Sequence, residues 1–246
     1  MDGRAEGSPR GLLLARAGPC YYPPMVRYLL LDLDNTLYSE SYGLEHEVFR
    51  RMTKYAAAQI GASFEEAVEI RRGRMARFGT TLEWLMSDYG FTDVEDYFRA
   101  IHPEGEEEPL SPDPALGRLL DAIPLPKAIF TNAPREHADR FLSRLGVADR
   151  FEAVYDIRFN GLVGKPHRDA VERVCAACGV SPGEALFVDD VPRYVKGFSD
   201  AGGRGILIDE YDRHGNLGFE RIHSLVELPG LIAGLDPAKA QPELFL

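Results

Sequence analysis

The chain has 246 residues, 45% of them hydrophobic, with 28 basic and 39 acidic residues and a formal net charge of −11. This length and apolar content support a sizeable core, which excludes wholesale disorder and a disulfide-stapled miniprotein. The acidic balance argues against a surface that tracks nucleic-acid phosphates or anionic lipid, although a bound metal or a few local cations still allow a small anionic substrate.

The number of cysteines and the N-terminal sequence indicate in which compartment the protein is expected. The three cysteines, Cys20, Cys175 and Cys178, are too few for a disulfide framework, and no apolar run reaches the length of a secretory leader or a membrane span. We therefore expect a cytoplasmic protein with neither nucleic-acid nor membrane partners; its oligomeric state is left open. Residues 1–24 are rich in Gly, Pro, Arg and Ala without periodicity, which predicts a disordered leader.

From Met25 onward, short apolar runs alternate with segments of helical pattern. The predicted strands cover residues 28–31, 127–131, 153–155, 185–189 and 205–209, and the predicted helices between them cover 134–145, 167–178 and 191–201. Alternating strands and helices are typical of βαβ units. The sequence therefore predicts an α/β fold with a doubly wound, Rossmann-like parallel sheet.

Residues 37–110 interrupt this alternation. They contain helical patterns at 44–60, 64–78, 81–89 and 94–102 and no convincing strand, and Ser63 with Glu66 forms a capping-box pattern. The acidic, proline-bearing run 103–109 is the expected return linker. We predict an all-helical cap at 37–110, inserted into a catalytic core made of residues 25–36 and 111–246.

Polar residues follow several predicted strands. Each has an ordinary structural explanation, such as a turn, a helix cap or a solvated lysine. In an open α/β sheet, however, ligands bind beyond the carboxyl ends of the strands, so several such groups in one topology indicate a site. The candidates are Asp32, Asp34, Thr131, Asn132, Lys165, Asp189 and Asp190.

These residue types suit phosphoryl transfer. A phosphoryl group needs cations and fixed donors on its oxygens, and a carboxylate can serve as the nucleophile. Mg²⁺ prefers oxygen ligands, which Asp32, Asp190 and a backbone carbonyl of the same loop could provide.

In this order, the residues resemble motifs I to IV of the haloacid dehalogenase (HAD) superfamily. The resemblance implies that Asp32 is the nucleophile that forms an aspartyl-phosphate and that Asp34 is the general acid and base. It implies that Thr131 and Lys165 hold the phosphoryl oxygens, assisted by the side chain or amide of Asn132. It also implies a Mg²⁺ site formed by the Asp32 carboxylate, the Asp34 main-chain carbonyl and Asp190, with Asp189 nearby. Family members that cleave carbon–halogen bonds lack an acid at the position of Asp34, so the resemblance favours a phosphatase or phosphomutase.

A narrower resemblance, to the pyrimidine 5′-nucleotidase branch, lies in the segments 32–38, 78–81, 130–133 and 164–167. It implies hydrolysis of UMP or CMP, a small phosphorylated metabolite. Members of that branch usually carry Asn four residues after the second acid of motif IV, where this chain has Tyr194. The alternatives are a phosphatase for another small organophosphate, such as phosphoglycolate or a sugar phosphate, and a catalytically weak binding or regulatory protein.

Several other residues have two interpretations. Tyr38 and Tyr42, just after motif I, are candidates for stacking on a base, with hinge packing as the alternative. The arginines of the second cap helix are expected on a solvated face, with Arg74 or Arg77 as candidates for reaching an anion; the full set is Arg71, Arg72, Arg74 and Arg77. Packing in a core is expected for Trp84, Cys175 and Cys178, and no ligand spacing relates His46, His102 and His137.

Overall fold

The structure is a computed structural model that describes residues 25–235. The predicted leader, 1–24, and the last residues of the predicted core, 236–246, lie outside the described residues. Over the described range, no helix combines the length and the apolar character needed to cross a membrane.

Six parallel strands form one sheet in the order β3-β2-β1-β4-β5-β6. The strands are β1 Tyr28–Leu31, β2 Lys127–Phe130, β3 Ala153–Tyr155, β4 Ala185–Asp189, β5 Arg204–Ile208 and β6 Glu220–Ile222. The strand order reverses direction at β1, which lies between β2 and β4. This reversal opens a crevice at the carboxyl ends of β1 and β4, the usual ligand position in such sheets.

The central strand is buried on both faces, as its continuous apolar run predicts. Leu29 and Leu31 face one layer of helices, while Tyr28 and Leu30 face the other. The first layer contains α5 Pro114–Asp121, α6 Arg135–Leu145 and α9 Leu228–Gly234, and the second contains α7 Arg168–Ala177 and α8 Pro192–Asp200. The predicted doubly wound α/β fold is confirmed.

Between β1 and α5 lies a helical insert with its own apolar core. Its helices are α1 Leu44–Ile60, α2 Phe64–Arg74, α3 Thr81–Tyr89 and α4 Val94–Ile101. The indole of Trp84 is fully buried in that core, and the capping box of Ser63 and Glu66 is present, so both expectations are confirmed. Ile157, from the loop after β3, joins the same cluster and connects the insert to the sheet. The domain limits at 37 and 110 stay a prediction.

The structure also differs from the predicted elements. Helix α2 ends at Arg74 instead of residue 78, because Arg193 of α8 binds the carbonyls of Met75, Phe78 and Gly79 and so holds the chain in a loop. The elements α5, β6 and α9, of eight, three and seven residues, were not predicted.

The cysteine pair takes the expected packing role. Cys175 is fully buried on α7 against the sheet, and Cys178 packs on the same apolar cluster from the end of that helix. Both thiols are free. The prediction that the pair packs in the core is confirmed.

Candidate functional site

The carboxyl ends of β1 and β4 lie side by side and bring three acids together. Leu31 pairs with Val188, and the N–H of Asp32 donates to the Val188 carbonyl at 2.9 Å. Asp189 ends β4, and Asp190 follows it. The chain thus turns out of both strands at the crevice, which places these carboxylates on one small surface.

Lys165 reaches this cluster from the loop between β3 and α7. Its side chain is 1% exposed, and Nζ lies 2.6 Å from Asp32 Oδ1 and 2.6 Å from Asp189 Oδ2. The two carboxylates raise the pKa of Lys165 against the effect of burial, which lowers it. The ammonium is therefore charged and is the cation that these two acids share.

Asn132, at the end of β2, positions Lys165. Its Oδ1 accepts from the Lys165 N–H at 2.8 Å, and its Nδ2 donates to the Lys165 carbonyl at 3.0 Å. A Cβ on Gly164 would lie 2.0 Å from Asn132 Oδ1, so the close approach requires glycine there. These two contacts leave the second N–H of Nδ2 and the backbone amide of Asn132 unused, so the expectation that Asn132 assists the phosphoryl group by its side chain or its amide stays a prediction.

Negative charge exceeds positive charge in the cluster. Burial raises the pKa of Asp32 to about 8; Lys165 lowers it, while Asp189 and Asp34 raise it further. Burial likewise raises the pKa values of Asp189 and Asp190. One ammonium does not offset three carboxylates, of which Asp32 and Asp189 are buried and Asp190 is partly buried, and such a cluster favours either protonation or a bound cation.

The donor set fits a hard divalent cation. Asp32, Asp189 and Asp190 each offer a carboxylate oxygen, and these oxygens lie within 4.8 Å of one another. All-oxygen ligation is typical of Mg²⁺ and Ca²⁺. Asn35 donates from Nδ2 to Asp190 at 3.2 Å and to Glu45 at 2.6 Å, which orients the Asp190 carboxylate. The arrangement can hold a metal ion. The supporting role of Asn35 was not predicted from the sequence.

Asp34 lies beside this cluster and has a different environment. Its Oδ1 accepts from the Tyr38 hydroxyl at 2.5 Å and from His137 Nε2 at 2.9 Å. Burial raises the pKa of Asp34, but His137 and Tyr38 outweigh burial and hold it well below its ordinary value. Among the described residues Oδ2 has no hydrogen-bond donor, so this oxygen is available to the cavity.

His137 is a functional neighbour that the sequence analysis missed. Its Nε2 contacts Asp34, its Nδ1 lies 2.6 Å from Glu106 Oε1, and the centroid of the tilted His102 ring lies 4.3 Å from that of His137. Carboxylates flank both ring nitrogens, an arrangement that favours the imidazolium form, in which both nitrogens donate. Burial lowers the pKa of His137, but its two acidic partners raise it to about 9.

The prediction that the histidines are unrelated is thus wrong for two of them. His102, Glu106 and His137 place their ligating atoms within 4.8 Å of one another. They come from α4's end, the return linker and α6, so only the packing of distant segments brings them together. One signal was present: His137 lies four residues before Phe141 on the buried face of α6.

Thr131 follows β2 and faces the same cavity. Its Oγ1 accepts from the Ala133 N–H at 3.0 Å, which leaves the hydroxyl hydrogen to be donated. The side chain is buried and belongs to the cavity wall. Its placement is compatible with a donor to an anion.

Tyr194 replaces the expected Asn with a contact to the insert. Its hydroxyl donates to the Gly79 carbonyl at 3.2 Å, and its ring centroid lies 5.0 Å from Lys165 Nζ. The neighbouring Arg193 binds the same carbonyl at 2.8 Å. Tyr194 therefore holds the loop between α2 and α3 over the lysine, while Asn35 supports Asp190.

The site opens into a cavity of about 280 Å³ between the sheet and the helical insert. Asp32, Asp34, Thr131, Asn132, Lys165 and Asp190 line it from the core. Neither tyrosine proposed to contact a base lines this cavity: Tyr38 packs behind Asp34 against Phe141, and Tyr42 is 47% exposed. Stacking of a base on either ring stays a prediction.

The prediction for the α2 arginines is wrong for one residue. Arg72, Arg74 and Arg77 are exposed, as expected for a solvated face, but Arg71 lines the cavity. Arg71 lies four residues after Ala67, the buried residue of α2, so both are on the helix face turned inward. The residue of this set that can reach a ligand is Arg71, not Arg74 or Arg77.

Comparison with known sequences gives relatives of two kinds. Over 181 residues the chain is 24% identical to phosphate metabolism protein 8 of Saccharomyces cerevisiae, a match that covers 68% of this chain and 56% of the relative. Over 120 residues it is 33% identical to the (S)-2-haloacid dehalogenase of Xanthobacter autotrophicus, covering 47% of each. The chain thus spans about half the length of these relatives.

Solved structures share the fold. The L-2-haloacid dehalogenase of Xanthobacter autotrophicus superposes with a TM-score of 0.57 at 18% identity, covering 85% of this chain and 99% of that one. A HAD phosphatase from Thermococcus onnurineus gives 0.55 at 22% identity, with the same coverage. Residues 26–202, most of the chain, match the haloacid dehalogenase-like hydrolase family. The protein therefore belongs to the haloacid dehalogenase-like hydrolases.

Proposed function

We propose that this hydrolase is a Mg²⁺-dependent phosphomonoesterase in which Asp32 forms an aspartyl-phosphate. The observation that carries the proposal is Asp34, a second carboxyl group in the same cavity, with Oδ1 held by Tyr38 and His137 and Oδ2 available. The family resemblance associates an acid at this position with phosphate chemistry and its absence with carbon–halogen cleavage. Asp34 thus favours a phosphatase over a dehalogenase, although the fold is shared with a HAD phosphatase and with haloacid dehalogenases alike.

In the first half of the reaction, Asp32 attacks phosphorus while Lys165 and the Thr131 hydroxyl donate to the phosphoryl oxygens. Lys165 is already 2.6 Å from Asp32 Oδ1, so an oxygen next to that carboxylate lies within its reach. Fixed donors of this kind stabilise the charge that develops in the transition state. Mg²⁺, held by Asp32, Asp190 and the Asp34 carbonyl with Asp189 nearby, would offset the phosphate charge and keep Asp32 ionised.

Asp34 exchanges the protons in this proposal. A phosphate dianion in the cavity adds negative charge beside Asp34 and raises its pKa, which favours protonation before the leaving oxygen departs. Once the leaving group has taken that proton, the ionised Asp34 accepts one from the water that attacks the aspartyl-phosphate. His137 and Tyr38 hold Oδ1 in place throughout.

The helical insert, residues 37–110, acts as a cap in this proposal. Gly79 at its lower edge approaches the Lys165 backbone so closely that a Cβ there would lie 2.6 Å from the Lys165 carbonyl oxygen. The insert therefore covers the cavity directly above the phosphate-binding residues. Such a cover excludes bulk water from the reacting groups.

Two substrate classes are supported by different features. The motif resemblance supports pyrimidine nucleoside 5′-monophosphates, UMP or CMP. The cavity favours a smaller organophosphate, such as phosphoglycolate or a sugar phosphate, because 280 Å³ lies at the lower end of the usual range for ligand pockets. Tyr38 and Tyr42 lie outside the cavity, which also favours the smaller organophosphate.

The chemistry is tested with p-nitrophenyl phosphate in the presence and absence of Mg²⁺. We expect metal-stimulated release of phosphate, and we expect Asp32→Asn to reduce turnover by at least about a thousandfold because the nucleophile is lost. Thermal melting should show that this variant stays folded. Full activity of Asp32→Asn would contradict the mechanism, and chloride release from 2-chloropropionate without phosphate release would favour a dehalogenase.

The substrate class is tested with a panel of UMP, CMP, AMP, GMP, phosphoglycolate and sugar phosphates. Faster hydrolysis of UMP and CMP than of the purine nucleotides supports the nucleotidase assignment, and equal rates contradict it. Tyr194 motivates the binding-protein alternative. Folded protein that binds Mg²⁺ but hydrolyses none of these esters would favour that alternative.

A further inference from the structure

Arg71 is a cation in the wall of the cavity with no acidic partner. It is partly buried on α2 of the insert, and the cavity that it lines also contains Asp32 and Lys165. No carboxylate within residues 25–235 lies within ion-pair distance, 4.0 Å, of its guanidinium. By contrast, Arg72 pairs with Glu69 at 2.8 Å and Arg74 approaches Asp88 at 3.6 Å.

The protein holds the guanidinium in place with neutral groups. Nε donates to Thr81 Oγ1 at 2.6 Å, Nη1 to Thr53 Oγ1 at 3.4 Å and Nη2 to Met52 Sδ at 3.1 Å, and the group lies over the Phe49 ring. A guanidinium has five N–H donors, so three contacts leave one donor on each Nη. One donor on each Nη is the number that bidentate binding of a carboxylate requires.

A partly buried charge without a counter-ion is costly, and an anionic ligand would remove that cost. The other arginine of the cavity wall cannot take this role as readily, because Arg193 already donates to three carbonyls of the loop between α2 and α3. Glu45 and Asp190 line the same cavity, and their negative charges repel any second anionic group of the substrate. They repel a second phosphate, which is a dianion, more strongly than a carboxylate, which is a monoanion. The cavity's modest volume also limits the size of the second group.

We infer that the phosphate ester bound by this site carries a carboxylate, which Arg71 binds on the insert side of the cavity. The inference rests on the proposed phosphomonoesterase function and selects the smaller of its two substrate classes. Arg71 then determines specificity, while Asp32, Asp34 and Lys165 act on the phosphate at the other side.

The test uses phosphorylated hydroxy acids of increasing chain length, each paired with its carboxamide, which is nearly the same size but neutral. We expect kcat/KM to be at least about tenfold higher for the acid than for the amide at the best length, since the charge-assisted contact is lost in the amide. Arg71→Gln should raise KM for the acid by a similar factor and thereby remove most of the difference between acid and amide. Arg72→Gln, on the solvated side of the same helix, should change neither.

The outcomes separate this inference from the proposed function. Equal kcat/KM for acid and amide at every length, or faster hydrolysis of UMP or of a bisphosphate than of any acid, would overturn the role of Arg71 while p-nitrophenyl phosphate hydrolysis still supports the phosphatase. Absence of hydrolysis with every ester would overturn both. The preference of the wild-type protein decides the question even if Arg71→Gln fails to fold.

Discussion

The ammonium of Lys165 balances two carboxylates that are almost fully removed from water. Its contacts with Asp32 and Asp189 are each 2.6 Å long, and the exposed fractions of the two carboxylate side chains are 8% and 0%. Buried ion pairs of this kind add little net stability relative to apolar residues, but removing one partner leaves an uncompensated charge. The lysine that we assign to phosphate binding thus also keeps the acids compatible with the fold.

We therefore predict that Lys165→Met lowers the free energy of unfolding by about 3–5 kcal/mol at pH 7.5. The loss should be smaller at pH 5.5, because keeping an uncompensated carboxyl group protonated in the folded state costs less free energy as the pH falls towards its unfolded pKa. Urea denaturation at both pH values measures the effect. Lys196→Met is the control, since its ion pair with Asp200 is more than 60% exposed and should matter little. An equal loss in both variants would contradict the prediction.

A site residue can be predicted from the sequence when the residues next to it in the chain indicate its position. Asp32, Asp189 and Asp190 follow apolar strands directly, so one general rule about parallel sheets places them at the same edge. His137 and Arg71 have no such neighbour in sequence. Their roles depend on which distant segment packs against their helix face, and a charged residue on an inward face is the one local sign of that packing.

At the level of elements, the loop of residues 75–80 connects the insert to Lys165, which we propose binds phosphate. Arg193 and Tyr194, at the start of α8, donate to its carbonyls, and Gly79 lies against the Lys165 backbone. Glu83 accepts from the Gly79 N–H at 2.7 Å and contacts His167 at 2.9 Å. The position of the insert is thereby coupled to the position of the lysine.

We predict that Gly79→Ala lowers kcat/KM at least about tenfold and destabilises the fold by about 1–3 kcal/mol. Its Cβ would lie 2.6 Å from a backbone oxygen, so the loop or the Lys165 backbone has to move. Gly73→Ala is the matched control: nothing lies within 4 Å of its Cβ, and alanine in this helix should stabilise by up to about 1 kcal/mol. Kinetics and thermal melting distinguish the two, and an unchanged kcat/KM in Gly79→Ala would contradict the coupling.

The same loop explains why element boundaries were harder to predict than the elements themselves. Residues 64–78 have a continuous helical pattern, but Arg193 binds carbonyls at the end of that stretch and the helix stops at Arg74. Helix propensity is a weak preference that tertiary contacts override. By contrast, the five predicted apolar strands and the capping box at Ser63 are local patterns, and the structure retains them.

Across the whole molecule, the net charge of −11 does not indicate that acidic and basic side chains form two connected clusters inside the protein. One joins Asp32 and Asp189 through Lys165, and the other joins Asp34 and Glu106 through His137. Glu106 also accepts from Arg51 and Arg140. Although burial opposes its ionisation, its histidine partners hold its pKa at about 2. Because Lys165 and His137 lie inside these clusters, a protein with an acidic net charge can still bind a small anion such as a phosphate ester in its cavity.

The second cluster makes stability depend on pH in a defined direction. The two acids raise the pKa of His137 from 6.5 to about 9, so its contribution is fully present below pH 6.5 and is lost as the pH rises through 9. We predict that wild-type protein in EDTA loses about 3 kcal/mol more unfolding free energy between pH 6 and pH 9.5 than His137→Gln does. Urea denaturation at the two pH values measures this difference.

The control for this measurement is an ion pair in solvent. His223 contacts Asp212 at 3.0 Å, but its side chain is 53% exposed, so water and salt screen the pair. His223→Gln should therefore lose the same free energy as wild type over this interval. Because Asp34 and Glu106 flank one ring, replacing His137 leaves both without their shared cation, and the variant should also be less stable than wild type at pH 6. If His137→Gln is as stable as wild type at pH 6 and loses the same unfolding free energy by pH 9.5, the prediction is contradicted. The His137 ring would then carry no extra proton between Asp34 and Glu106.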